Sequence, residues 1–375
     1  RAHRWWSRVC RETEIIDEVG APGTGPVAFA TFGFDSDSVE SVVVLPRLVF
    51  GRRGDRSWLT IVRPTQSPAV EPGEVLARLG SDQPRAPRQV SWPDDADRVR
   101  AWRQGVAEAI RRITAGELDK VVLARDVFAR ASEPIDPVAL LTRLTAEYPD
   151  CWAFSVAGLV GATPEMLVRR EGDVVSSRVL AGTVRSGWDS GEAGRLAAEL
   201  LGSDKNLAEH ELAVASVAAS LAAHCTDLSV PEEPRILKLA NVQHLATDVF
   251  GSLATETPVL ALAASLHPTA AVCGTPTERA HSLIRELEPM DRGRYAGPVG
   301  WMDSHGDGEF GIALRCGQID PQDPCRIRLF AGCGIVAGSQ PESEVVESEV
   351  KLQPMRMALD SQLSHPVNRR AARAT

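Results

Sequence analysis

The sequence predicts an α+β fold of antiparallel sheets and helices, on three observations. Short runs rich in Val, Leu and Phe alternate with polar residues at a period of two. Longer stretches carry apolar residues at spacings of three and four. The two kinds of segment do not alternate in the regular order that a parallel βαβ sheet requires.

Residues 1–20 are charged and carry no clear period. From Val27 the chain turns β-like, with strands over 27–34, 41–49 and 57–62 and Gly51-Arg-Arg-Gly54 as a turn. Prolines and polar groups make 64–95 a loose connection, and a helix over 94–115 is ended by Gly116. The next strand, 120–129, places Val121, Leu123 and Val127 on one face and Lys120, Val122, Ala124 and Phe128 on the other. Lys120 thus shares a face with apolar neighbours. A helix over 137–147 precedes strands 152–159, 166–171 and 174–180, the last two joined by a tight Gly172-Asp173 turn. After a helix over 192–201, Ser203 caps a longer one reaching about 224. Its stripe is Leu207, His210, Val214, Val217 and Leu221, with Glu209 beside it. Strands 235–239 and 243–250, helices 258–266 and 277–287, and strands 299–302, 309–318 and 326–331 complete the pattern. Residues 303–308 turn a hairpin between two of these strands. No short repeat and no linker after residue 95 interrupts it. One large domain over 1–375 is expected, with a β-rich N-terminal region over 1–95, a core over 96–358 and a tail over 359–375.

The chain has 375 residues, long enough to bury a large core, and a net charge of −9 that argues against a general phosphate-backbone binder. No nucleic-acid partner is expected. The short basic run Arg369-Arg370-Ala-Ala-Arg373 reads as a solvated end. Seven scattered cysteines without a CxxC pair fit reduced thiols in a cytoplasmic protein rather than a disulfide framework or a zinc site. The longest clean apolar run, Val259 to Leu266, is too short to span a bilayer, so no membrane partner is expected. The N-terminus lacks the apolar core of a signal peptide, and the absence of an initial Met fits a processed or truncated form.

The densest chemistry lies in Ala331-Gly-Cys-Gly-Ile-Val-Ala-Gly-Ser-Gln-Pro-Glu-Ser-Glu344-Val-Val-Glu347-Ser-Glu-Val-Lys351, read as a glycine-rich turn entering a short acidic helix. Glycines at 332, 334 and 338 permit close approach of a ligand to the backbone. Glu344 and Glu347, three apart, share a helix face with Lys351 four further on. Free amides, paired carboxylates and an ammonium suit an anion held partly by a hard divalent cation. Equally, the stretch reads as a plain glycine turn before a helix whose early acids offset its dipole.

Separated stretches together resemble the chorismate-utilising enzymes: isochorismate synthases, salicylate synthases, anthranilate synthase component I and aminodeoxychorismate synthase. They are Lys120-Val-Val-Leu-Ala-Arg125, Thr163-Pro-Glu165-Met-Leu, Leu180-Ala-Gly-Thr183, Ala208-Glu209-His210-Glu211-Leu and His244-Leu-Ala-Thr247. His267-Pro-Thr-Ala-Ala271-Val-Cys-Gly274, Glu286-Leu-Glu-Pro-Met-Asp-Arg292, Ile312-Ala-Leu-Arg315 and the 331–351 stretch follow in order. The resemblance covers about 95–355 and implies a four-layer fold like that of anthranilate synthase component I, with large antiparallel sheets packed together and helices outside. It implies Lys120 as the base that activates water and Glu165 as the acid for the leaving hydroxyl. A base must be neutral and an acid protonated near pH 7, which burial can arrange. It implies Glu209, Glu344 and Glu347 as ligands, direct or through water, of Mg²⁺ gripping the ring carboxylate. Arg315 and the amides of Gly332 and Gly334 would hold the other carboxylate. Gly182, Thr183, His244, Ala271 and Lys351 are implied as further substrate contacts.

Ala181 stands where aminodeoxychorismate synthases carry a lysine nucleophile, and Ala271 where anthranilate and salicylate synthases carry Thr. The resemblance is therefore greatest to isochorismate synthases, of siderophore or menaquinone biosynthesis, which turn chorismate into isochorismate. Val272 and Val345 depart from the usual leucine and aromatic residue. Salicylate formation by pyruvate elimination, or a non-catalytic binding homologue, are the other readings. A water nucleophile needs no glutaminase subunit, and a monomer is expected.

Overall fold

The computed structural model describes residues 1–38, 40–68, 71–78, 83–187 and 189–360; most of the expected tail, including its basic run, lies outside them. Two antiparallel sheets dominate. The nine-stranded sheet runs, edge to edge, Cys225–Ser229, Val242–Leu253, Val174–Arg185, Met166–Glu171, Gly308–Ile312, Pro298–Asp303, Val27–Thr31 and Val42–Val44; Arg235–Lys238 also pairs with Val242–Leu253. The seven-stranded sheet runs Gly274–Thr275, Lys120–Ala131, Arg326–Ile335, Cys316–Ile319, Leu159–Thr163 and Trp152–Val156, with Val90–Ser91 on the flank of Lys120–Ala131.

Helices Ser190–Leu201, Asp204–Ala222 and Val259–Leu266 cover the first sheet, and Ala96–Thr114, Pro137–Glu147, Thr277–Leu287 and Pro341–Leu359 the second. The architecture is therefore helix, sheet, sheet, helix, as expected for the α+β class. Each helix is placed by its apolar stripe. In Ala96–Thr114 the buried residues are Trp102, Val106, Ala109 and Ile113, spaced four, three and four. Ser203 caps Asp204–Ala222 by accepting the Asn206 N–H. The strand Lys120–Ala131 is buried on both faces, its first half in the larger core and its second half in a second core that includes residues of Pro137–Glu147 and Pro341–Leu359.

The structure corrects several expectations. Residues 2–12 form a helix anchored by buried Trp6, whose indole N–H donates to the Asp303 carbonyl; Ala2, Trp5, Trp6, Val9 and Cys10 recur at helical spacing on its core face, a period that sequence reasoning missed. The expected strand 152–159 is a hairpin, turned at Ala157 and Gly158, both with positive φ. The strand from Val174 does not stop at 180. It continues to Arg185 through a bulge at Gly182, φ +75°. Cys225–Ser229, too polar to signal a strand, pairs on the sheet edge. The expected continuous strand 309–318 breaks at Ala313-Leu314-Arg315 and changes sheet there. Gly332 and Gly334 lie inside the strand Arg326–Ile335, not in a turn, and the helix after them is 19 residues long, not short.

Candidate active site

Two short segments carry the chain directly from a strand of one sheet to a strand of the other: Thr163-Pro164-Glu165 and Ala313-Leu314-Arg315. They are tied together, because Ile312 N–H donates to the Glu165 carbonyl (3.2 Å) and Ala162 N–H to that of Arg315 (3.3 Å). Arg315 has φ +49°, a left-handed conformation uncommon for a residue with a Cβ. Such crossings leave the chain outside both ladders, and a cavity opens here, with Glu165 and Arg315 among its lining residues.

Glu165 is buried, and burial pushes its carboxyl up to about 8, against the pull of Lys120 and Arg315. It is therefore mostly protonated at neutral pH, as an acid catalyst requires. Arg315 donates through Nη2 to His244 Nε2 (3.3 Å). A guanidinium only donates, so Nε2 must accept, and the ring proton sits on Nδ1. That nitrogen lies 3.0 Å from Thr183 Oγ1 and 3.4 Å from the Gly182 carbonyl. Burial, then Arg315, holds His244 well below its ordinary value, consistent with a neutral ring that orients the arginine. The Gly182 bulge delivers both of its partners to the wall.

Gly332 and Gly334 pair with Ala124 and Val122. Ala124 N–H instead donates to Glu288 and Val122 N–H to the Cys273 carbonyl. These are non-hydrogen-bonded pairs of the ladder, so the amides of Gly332 and Gly334 also point outward. The neighbouring strand Cys316–Ile319 pairs only as far as Leu329, which leaves that edge free. The glycines serve close approach, since neither has positive φ. A Cβ on Gly334 would lie 2.2 Å from Glu209 Oε1, and one on Gly332 3.1 Å from the Tyr295 hydroxyl.

Three glutamates each meet one lysine. Glu209 lies 3.1 Å from Lys120 Nζ, Glu347 2.6 Å from Lys351, and Glu344 3.3 Å from Lys205. Lys120 is fully buried, and its contact with Glu209 is an ion pair too oblique for a good hydrogen bond. Burial would raise the Glu209 carboxyl, but Lys120 outweighs it and holds the group low. Burial likewise opposes charge on Lys351, yet Glu347 prevails and raises its pKa; Nζ also donates to the Gly332 carbonyl (2.9 Å).

Glu344, Glu347 and Cys333 bring donor atoms within 4.8 Å of one another. Burial and then Glu347 push Glu344 up even beside Lys205. A close pair of hard oxygen donors, one of them above its ordinary range, fits a hard divalent cation. Burial drives the Cys333 thiol far up, so it remains a protonated neighbour. Glu209 does not join this cluster among the described residues; its carboxylate is drawn to Lys120.

The cavity thus gathers Glu165, Gly182, Thr183, Glu209, His244, Ala271, Arg315, Gly332, Gly334 and Lys351 on one wall. Lys120 lies behind Glu209 and Gly334, its Cε 3.1 Å from where a Gly334 Cβ would be. Glu344 and Glu347 lie beyond Lys351 and off the wall. Sequence reasoning assigned no role to Tyr295 or Arg292, which also line the cavity. Tyr295 is one of only two tyrosines, three residues beyond the Glu286–Arg292 motif, and that rarity was the available signal. Lys205 was missed too, as a lysine in a helix's first turn reads as surface.

A family described as chorismate binding enzyme matches residues 1–360. The chain is 39% identical over 262 residues to isochorismate synthase MenF of Bacillus subtilis, covering 69% of this chain and 55% of that protein. It is 40% identical over 270 residues to isochorismate synthase DhbC of the same organism, covering 69% and 67%. The chain therefore spans about half the length of the first relative and two thirds of the second. MenF, the menaquinone-specific isochorismate synthase from Escherichia coli, has a solved structure similar to this one. The TM-score is 0.76 at 31% identity, over 89% of this chain and 79% of that one. Anthranilate synthase component I from Streptococcus pneumoniae shares the fold, with TM-score 0.75 at 20% identity over 94% and 84%. With the motifs in order, the cavity at the sheet crossings and a match along nearly the whole described chain, the protein belongs to the chorismate-binding enzyme family.

Proposed function

We propose that the chain converts chorismate to isochorismate, adding water at C2 and expelling the C4 hydroxyl. One observation carries this: Glu165, an acid protonated near neutral pH, shares a cavity with an anion grip made by Arg315 and outward glycine amides. In the reaction, Lys120 first passes a proton to Glu209, the carboxylate 3.1 Å away, and the amine so formed takes the proton of the water that attacks C2. Both ring double bonds shift, C1=C2 to C1=C6 and C5=C6 to C4=C5, the C4–O bond breaks, and Glu165 supplies the proton that lets the oxygen leave as water. Arg315, held by His244, keeps one carboxylate fixed, and the buried setting excludes other nucleophiles.

Glu344 and Glu347 would hold Mg²⁺, and Glu209, outside their cluster and paired with Lys120, would join them only by turning from that lysine. When bound, the ion supplies positive charge to the ring carboxylate. Ala271 and Ala181 leave the wall without the hydroxyl or amine expected of relatives that make other products. We read the enzyme as acting alone, as a monomer with no ammonia-supplying subunit and no nucleic acid or membrane partner. Among the described residues no helix is long and apolar enough to cross a membrane.

The test is a product assay. Protein incubated with chorismate and Mg²⁺ should yield isochorismate, resolved by chromatography and mass. Salicylate with an equivalent of pyruvate as the main product would reassign the chain to pyruvate elimination, and no turnover would leave a binding homologue.

A further inference from the structure

We propose that Lys205 is a positioning residue that competes with the divalent cation for Glu344, so that the metal-free site is latched by an internal ion pair. The proposal rests on reading Glu344 and Glu347 as cation ligands. Every carboxylate assigned to the ion already carries one lysine, so three negative charges face three positive ones. A divalent cation finds these carboxylates already neutralised, and gains full attraction only when an ammonium moves away.

The three lysines are not equally free to move. Lys120 is fully buried, and Lys351 is fixed by both Glu347 and the Gly332 carbonyl. Lys205 has a side chain 38% exposed, and among the described residues Glu344 is the one carboxylate it meets at ion-pair distance, with Glu209 acting on it only from farther off. It can swing into water. It also stands in the first turn of Asp204–Ala222, where the helix dipole disfavours a cation, so Glu344 is what holds it. Its stem passes over Gly338, with Cγ 4.0 Å from a Cβ built there, across the link between the strand Arg326–Ile335 and the helix Pro341–Leu359. The pair therefore ties the helix bearing Glu209 to the helix bearing Glu344 and Glu347. A cation entering between those helices takes Glu344 from Lys205 and frees that tie.

The test titrates Mn²⁺ into the full chain without substrate and follows the free ion by its EPR signal. Lys205→Met should bind Mn²⁺ about threefold to tenfold more tightly than the parent, the range set by removing a half-exposed ion pair. Lys205→Gln should do the same, and Lys205→Arg should retain parental affinity. Glu344→Gln added to Lys205→Met should abolish the gain. Equal or weaker binding by both neutral variants, with the parent binding normally, overturns the latch and leaves the cation site standing. Binding by neither parent nor variants overturns the cation site, and the latch with it. Matching far-UV circular dichroism of the variants confirms that the comparison is between folded proteins.

Discussion

Glu165 couples stability to chemistry through a single proton. Burial raises its carboxyl from an ordinary value of 4.5 to about 8. A raised pKa in the folded state means that folding favours the protonated form. The stabilisation is complete below 4.5 and is lost as pH rises toward 8, where the wild type must bury a charge. Glu165→Gln removes the proton but keeps the shape. We expect it to lower turnover by at least about a hundredfold, the usual contribution of a general acid. We also expect its melting temperature to match the wild type near pH 4.5 and to exceed it at pH 8 to 9. Wild-type activity should fall as pH passes 8. A Glu165→Gln protein that is no more stable than wild type at pH 9 would show that this carboxyl is not held protonated by burial.

At the scale of elements, the strand Arg326–Ile335 and the helix Pro341–Leu359 carry the glycines and Lys351 that line the cavity, and the acids Glu344 and Glu347 beyond it. Gly334→Ala tests the close approach directly. Its Cβ would fall 2.2 Å from Glu209 Oε1, with the Lys120 chain immediately behind, so the carboxylate must move. Displacing a catalytic group by about an ångström costs about a hundredfold. We expect that loss in kcat/KM with far-UV circular dichroism unchanged, and a smaller loss for Gly332→Ala, whose Cβ has no contact nearer than the Tyr295 hydroxyl at 3.1 Å. Equal activity of Gly334→Ala and wild type would remove Glu209 from the reaction. These glycines also mark what was legible in the sequence. Their composition announced a backbone approached closely, but not that the backbone was a strand, because glycine weakens strand signals. The strand Lys120–Ala131 and the helix after Ser203 were readable from period and cap alone. The break at Arg315 was not, since both flanks are apolar and a change of sheet leaves the period intact. Likewise, Glu344 and Glu347 share a face by local spacing, whereas the hold of Lys120 on Glu209 is a tertiary fact no spacing encodes.

At the scale of the molecule, a site built where chain segments cross between sheets depends on those sheets being held in register. Arg292 ties together the elements on one side of it. It donates to the Val272 carbonyl (2.8 Å), to the Val122 carbonyl (2.7 Å) and to Glu288, and its guanidinium lies 4.2 Å from the centre of the Phe34 ring. Glu288 in turn accepts the Ala124 N–H (2.7 Å). One buried ion pair therefore joins the strand Lys120–Ala131, the loop holding Ala271, and the end of Thr277–Leu287. Both side chains are almost wholly buried, so removing one strands the other's charge and leaves two carbonyls unpaired. Arg292→Leu should cost about 3–5 kcal/mol, read as a fall in the midpoint of urea unfolding. Replacing both partners, Arg292→Leu with Glu288→Leu, should recover a fraction of that loss, because the stranded carboxylate is gone. Arg292 also lines the cavity, so turnover separates two roles. If the double variant regains stability yet stays inactive, Arg292 touches the substrate as well as joining the elements. If activity returns with stability, its place in the protein is the joint alone.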